Sequence, residues 1–118
     1  MSPSPEALLR GAYAAFNARD ADGLLALMTP DVEWPNGWEG GRVVGRDAVR
    51  AYWTRQWAAI DPNVEPVAFA PTADGMAVEV RQVVRDLDGT LLSDDLVRHV
   101  YVITGGLIRR MDIEEPEG

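Results

Sequence analysis

The stretch DLVRHVYVITGGLIRRMDI, Asp95 to Ile113, reads as two strands joined by a Gly105-Gly106 turn, and it carries the only histidine of the chain. Strand side chains alternate, so Val97, His99, Tyr101 and Ile103 share one face and Leu96, Arg98, Val100 and Val102 the other. The first face suits a core or a pocket wall. The second, with an arginine among valines, suits a half-covered surface such as a subunit contact. Beyond the turn, alternation puts Met111 and Ile113 on one face and Arg110 and Asp112 on the other. His99 is therefore expected to point inward, and the rest of the chain must cover this hairpin.

Working outward, Met76 to Arg85 is a strand whose face Met76, Val78, Val80, Gln82 and Val84 is apolar except at Gln82, with Glu79, Arg81 and Arg85 opposite. Asp88-Gly89 turns it back towards the hairpin. Val64 to Ala70 is a further strand, and its flanking prolines place it near a sheet edge. Upstream, a helix runs from about Arg46 to Ile60 and stops at Asp61-Pro62. Its side Val49, Tyr52, Trp53, Gln56, Trp57 and Ile60 faces the sheet. At the front, Ser4 caps a first helix with Pro5 at its first position, and Leu9, Ala12, Tyr13 and Phe16 form its apolar stripe. Asp20 caps a short second helix whose buried side is Leu24, Leu25, Leu27 and Met28. Asp31 to Trp34 is a short strand, ended by Pro35-Asn36-Gly37. The glycine-rich run from Gly37 to Gly45 reads as a flexible loop into the third helix. It is no phosphate loop, because Arg46 and Asp47 stand where lysine and a hydroxyl residue are needed. Pro116 and the acidic tail close the fold.

Composition removes several chemistries. The 118 residues, 47% hydrophobic, suffice for one domain spanning 1–118 that buries roughly two-thirds of its unfolded surface. No apolar run reaches membrane length, no secretion signal is visible, and cysteine is absent, so a cytoplasmic protein is expected. The net charge of −8 disfavours nucleic acid and acidic membranes as partners. All eleven basic residues are arginine, which excludes a lysine Schiff base, and no thiolate is available as nucleophile or metal ligand. One histidine cannot build a three-histidine metal centre, and a serine triad would need Ser2, Ser4 or Ser93, all in termini or loops. Carboxylate, histidine, tyrosine or arginine chemistry remains, or plain binding; no metal or cofactor is expected.

Three helices followed by a mostly antiparallel sheet, with NARDADGLLALMTPDVEW at the front and HVYVITGGLIRRMDI at the back, resemble the SnoaL-like branch of the superfamily of nuclear transport factor two and ketosteroid isomerase. The resemblance spans nearly the whole chain. It implies an α+β, cystatin-like cone: three N-terminal helices packed on a curved sheet around an apolar pocket, commonly in a homodimer. Members include isomerases, polyketide cyclases, dehydratases, epoxide hydrolases and proteins without known chemistry. The isomerase machinery does not carry over. Its base belongs to a Val-Glu-Asp-Pro-like segment, which here is Val32-Glu33-Trp34-Pro35, with tryptophan in the base's place. Its oxyanion donors correspond to Ala12, next to Tyr13, and to His99. The epoxide-hydrolase pattern also fails, because alternation sends Arg81, Arg98 and Asp112 outward.

These readings combine into a pocket for a hydrophobic, ring-containing small molecule. His99 is the candidate catalytic base; Tyr13, Phe16, Trp34, Trp53, Trp57, Gln82, Tyr101 and Met111 are candidate ligand-binding residues. Proton transfer of cyclase, isomerase or dehydratase type is one use of such a pocket, with Tyr13 or Gln82 holding an enolate. Glu33 and Asp112 compete as base, Glu33 handicapped by facing away from Trp34, Asp112 turning inward after a one-residue shift. The alternative is a non-enzymatic ligand-binding or dimeric interaction module. The outer sheet face, with Val83, Leu96, Val100 and Val102 among Glu79, Arg81 and Arg98, is the expected homodimer contact.

Overall fold

Ser4 and Asp20 start the two N-terminal helices as their positions predict: Ser4 accepts from Ala7 N and Asp20 from Gly23 N. The structure is a computed structural model that describes residues 4–36 and 40–114. Its elements are α1 (Pro5–Asn17), α2 (Ala21–Leu25), β1 (Met28–Pro35), β2 (Arg42–Val44), α3 (Arg46–Ala59), β3 (Ile60–Pro71), β4 (Gly75–Asp86), β5 (Leu91–Thr104) and β6 (Leu107–Glu114). The six strands form one sheet in the order β2-β1-β6-β5-β4-β3, antiparallel except where β1 runs parallel to β6. This is the expected α+β arrangement of three helices on a mostly antiparallel sheet. The helices cover the inner sheet face, and the buried cluster runs from Leu8 and Leu9 through Val49 and Trp53 to Val78, Ile108 and Met111.

The central hairpin forms as its sequence predicts. Gly105 and Gly106 both take positive φ, 59° and 80°, the conformation a two-residue turn matched to strand twist demands and side chains resist. Register shifts at Pro66/Ala68, Val84/Arg85 and Val102/Ile103 interrupt the β3–β4, β4–β5 and β5–β6 ladders, and such bulges bend strands around an interior.

Several boundaries differ from expectation. The second helix is only five residues long, because Leu27 O accepts from Ile108 N at 2.8 Å and draws Met28 into the sheet beside β6. Met28 thus opens β1, with Pro30 inside it. Within the run expected as a loop, Arg42 to Val44 pair with Pro35 to Glu33 as β2; residues 37–39 of that run, like the tail from 115, lie outside the described residues. No loop follows α3, since Asp61 and Pro62 already pair with Arg85 and Val84. In β6 the simple alternation fails. The bulge lets Ile108 and Met111, three residues apart, both face inward, 0% and 2% exposed.

The edge strand β3 is tied to the end of α1 by one side chain. Asn17 Nδ2 donates to Val64 O at 2.8 Å, and Val64 N donates to Asn17 Oδ1 at 3.0 Å. Two prolines, Pro62 and Pro66, stand two residues to either side of that clamp.

Candidate functional site

Between the helices and the inner sheet face lies a cavity of about 260 Å³. From α1 it takes Ala12, Tyr13 and Phe16; from α2, Leu24; from β1, Trp34 and Pro35. From α3 come Tyr52 and Gln56, with Ile60 just beyond, and from the sheet Val64, Gln82, His99, Tyr101, Ile108, Met111 and Ile113. Period-two alternation explains the sheet contribution: Val64 and Gln82 are register partners, as are His99 and Ile113, and Tyr101 and Met111. No Asp, Glu or Arg is among these lining residues.

Besides Gln56 and Gln82, the polar part of the wall is a hydrogen-bonded triad. Tyr101 Oη donates to Tyr13 Oη at 2.8 Å, and Tyr13 Oη lies 2.9 Å from His99 Nδ1. Tyr13 stacks on the imidazole with ring centroids 5.9 Å apart and 22° between planes, while Tyr101 meets both rings edge-on. His99 is 5% exposed, and its Nε2 is buried without a partner. Burial pushes the imidazole pKa down to about 4, so the ring is neutral at pH 7. Burial likewise raises both phenols, holding them protonated.

Seven of the residues singled out from the sequence, Tyr13, Phe16, Trp34, Gln82, His99, Tyr101 and Met111, meet at this cavity. Trp53 and Trp57 do not line it. They pair with each other at 6.0 Å and pack against Trp34 and Phe16, each at 5.4 Å, forming a second aromatic row behind the wall. The reason is helical geometry: Tyr52 and Gln56, four residues apart, take the cavity side of α3, so the next residues are rotated by about 100° toward α1 and β1. Arg19, at φ 61°, lays its guanidinium 5.5 Å from Trp57 and 5.8 Å from Phe16, closing the cluster from outside. Tyr52 and Gln56 were visible on the apolar side of the predicted helix. Their share of the wall was not, because periodicity gives a face without its exact rotation.

The competing bases lie elsewhere. Glu33 is on the face of β1 opposite Val32 and Trp34, and Asp112 is ion-paired with Arg42 and Arg110. The register shift in β6 falls before Asp112 and leaves it off the cavity wall. Among the described residues, no three His, Asp or Glu side chains converge as metal ligands, and no helix is long and apolar enough to cross a membrane.

A sequence model of the SnoaL-like domain matches residues 9–111. The solved structure of TerC co-crystallised with polyporic acid is similar with a TM-score of 0.82 and 25% identity, over 95% of this chain and 91% of that one. Rv0760c from Mycobacterium tuberculosis, in complex with estradiol-17β-hemisuccinate, is similar with a TM-score of 0.79 and 26% identity over 92% of each chain. An NTF2-like protein of unknown function from Burkholderia pseudomallei shares the fold at a TM-score of 0.82 and 24% identity, over 95% and 90%. No curated protein matches the chain.

Proposed function

The chain belongs to the SnoaL-like domain family, and from that premise we propose that it binds an uncharged, hydrophobic, ring-containing small molecule in its cone cavity. One observation carries the reading. Among the described residues the wall is largely apolar and aromatic, contains no charged side chain, and includes a neutral histidine. A charged ligand would be desolvated there without compensation, whereas an apolar ring exchanges water for aromatic and aliphatic contacts. The organic ligands held by TerC and Rv0760c support a small molecule as occupant. Tyr13, Phe16, Trp34, Gln82, Tyr101 and Met111 then contact it.

Proton-transfer chemistry of cyclase, isomerase or dehydratase type is the finer reading, with His99 as its catalytic side chain. A purely binding module is the alternative, and it is favoured by the absence of a carboxylate among the described residues of the wall. We further propose a single domain, a homodimer through the outer sheet face, and a cytoplasmic location, which the cysteine-free composition suits.

Tetralin and 2-naphthoate test the pocket reading. The neutral hydrocarbon should quench tryptophan fluorescence and raise the melting temperature, and the carboxylate should do neither at equal concentration. Equal binding of the two, or failure of tetralin to bind, overturns it.

A further inference from the structure

Both glutamines of the chain, Gln56 and Gln82, stand in the cavity wall. They come from different elements, α3 and β4, and the topology brings them to one corner. Gln56 lies one helical turn before Ile60, which passes directly into β3, and Val64, four residues further on, is the register partner of Gln82. All four residues line the cavity. The tyrosine–histidine triad stands apart from this corner. The register partner of His99 on β4 is Val78, four residues from Gln82 along the strand, which is a separation of about 13 Å at the usual rise.

The two amides differ from the triad in having nothing to bond to. Among the described residues neither glutamine side chain makes a hydrogen bond, although both are partly buried. Asp95, the register partner of Gln82 on β5, is exposed and does not line the cavity. A primary amide carries N–H donors and a carbonyl acceptor. A purely apolar ligand that covers the pair strips their water and returns no hydrogen bond.

We propose that Gln56 and Gln82 form a neutral polar subsite at the α3–β3 corner that takes a hydroxyl group of the ligand, one amide donating to its oxygen and the other accepting its proton. This rests on the reading of the cavity as a ligand site and narrows the ligand class to uncharged ring compounds with a hydroxyl at one end. A ketone or ether would engage only the donors and leave the amide carbonyls bare. A carboxylate would bring a charge to a corner whose lining holds no cation. Because one amide is carried by a helix and the other by a strand inside the sheet, the pair also fixes which way round the ring enters.

Naphthalene, 2-naphthol and 2-methoxynaphthalene test the subsite, since they share one ring system and are all uncharged at pH 7. The naphthol should bind wild type about tenfold more tightly than naphthalene, the value of one net hydrogen bond. The methyl ether, which cannot donate, should lose most of that advantage, and its retention overturns the hydroxyl assignment. Gln56→Leu and Gln82→Leu keep the side-chain size and remove the amide, so each should erase most of the naphthol preference and tighten naphthalene. A preference that survives either substitution overturns the shared subsite. Equal weakening of both probes, the mark of a structural role, overturns it as well. Glutamine-selective 15N labelling of wild type gives two side-chain amide signals, and 2-naphthol should shift both; one left unmoved overturns the pairing without recourse to any variant. Equal binding of naphthol and naphthalene to wild type overturns the subsite alone. Failure of all three probes to bind overturns the ligand-site reading beneath it.

Discussion

Replacing His99 with alanine separates a residue that faces a pocket from one that props a core. The change removes one hydrogen bond to Tyr13 and a stacked ring contact, each worth about 1 kcal/mol. It also abolishes a buried ring nitrogen that lacks a partner, a group that costs about 1–3 kcal/mol as it stands. The vacated space merges with an existing cavity, so lost packing adds only about 1 kcal/mol. Losses of about 3 kcal/mol against that relief leave a net destabilisation of at most about 2 kcal/mol. With an unfolding entropy of about 2.1 cal/mol/K per residue and 118 residues, that lowers the melting temperature by at most about 8 °C. Circular dichroism measures the melting, and titration with tetralin measures the site. A fall beyond about 12 °C with unchanged tetralin affinity would refute the reasoning and make His99 a core residue.

The His99 pKa is depressed from 6.5 to about 4, so between those values the unfolded chain binds the additional proton. Its contribution is complete above pH 6.5 and is lost as pH falls toward 4, by about 3 kcal/mol at most; denaturant titrations should show this loss in wild type and not in His99→Gln. Trp53→Ala, at a side chain 0% exposed, should cost about 3–5 kcal/mol in chemical denaturation. Gly75→Ala would drive a Cβ into Tyr101 O, a backbone atom, and should destabilise by about 1–3 kcal/mol in the same measurement. Leu96→Glu, on the outer sheet face where Leu96 is 47% exposed, should convert the proposed dimer to a monomer in sedimentation while the fold survives.

What the sequence revealed follows the strength of its periodicity. In β4 and β5 alternation runs long enough to assign Val78, Val80, Gln82, His99 and Tyr101 to the inner face, and all five face inward. Local rules fail where partners decide. Met28 continues a Leu-rich helical pattern, yet one hydrogen bond from Ile108, eighty residues away in sequence, makes it a strand residue. Arg42 to Val44 are too few and too glycine-flanked to signal a strand without β1 beside them. The bulge before Met111 and the rotation that gives Tyr52 and Gln56 to the cavity instead of Trp53 and Trp57 are packing outcomes. The tyrosine triad is likewise invisible locally, because Tyr13 and His99 are 86 residues apart.

The clamp between Asn17 and Val64 also bears on how the molecule avoids sticking to itself. An unpaired strand edge offers a row of amide donors to any passing chain, a template for fibril growth. On β3 the outward donors recur every second residue: Val64 is occupied by the Asn17 side chain, while Pro62 and Pro66, in the same phase, have no N–H to offer. Three successive docking points are thereby withdrawn from the edge. Asn17→Ala would restore only the middle one, so its effect should appear less in melting than in the rate at which warmed, concentrated protein acquires thioflavin-binding aggregates.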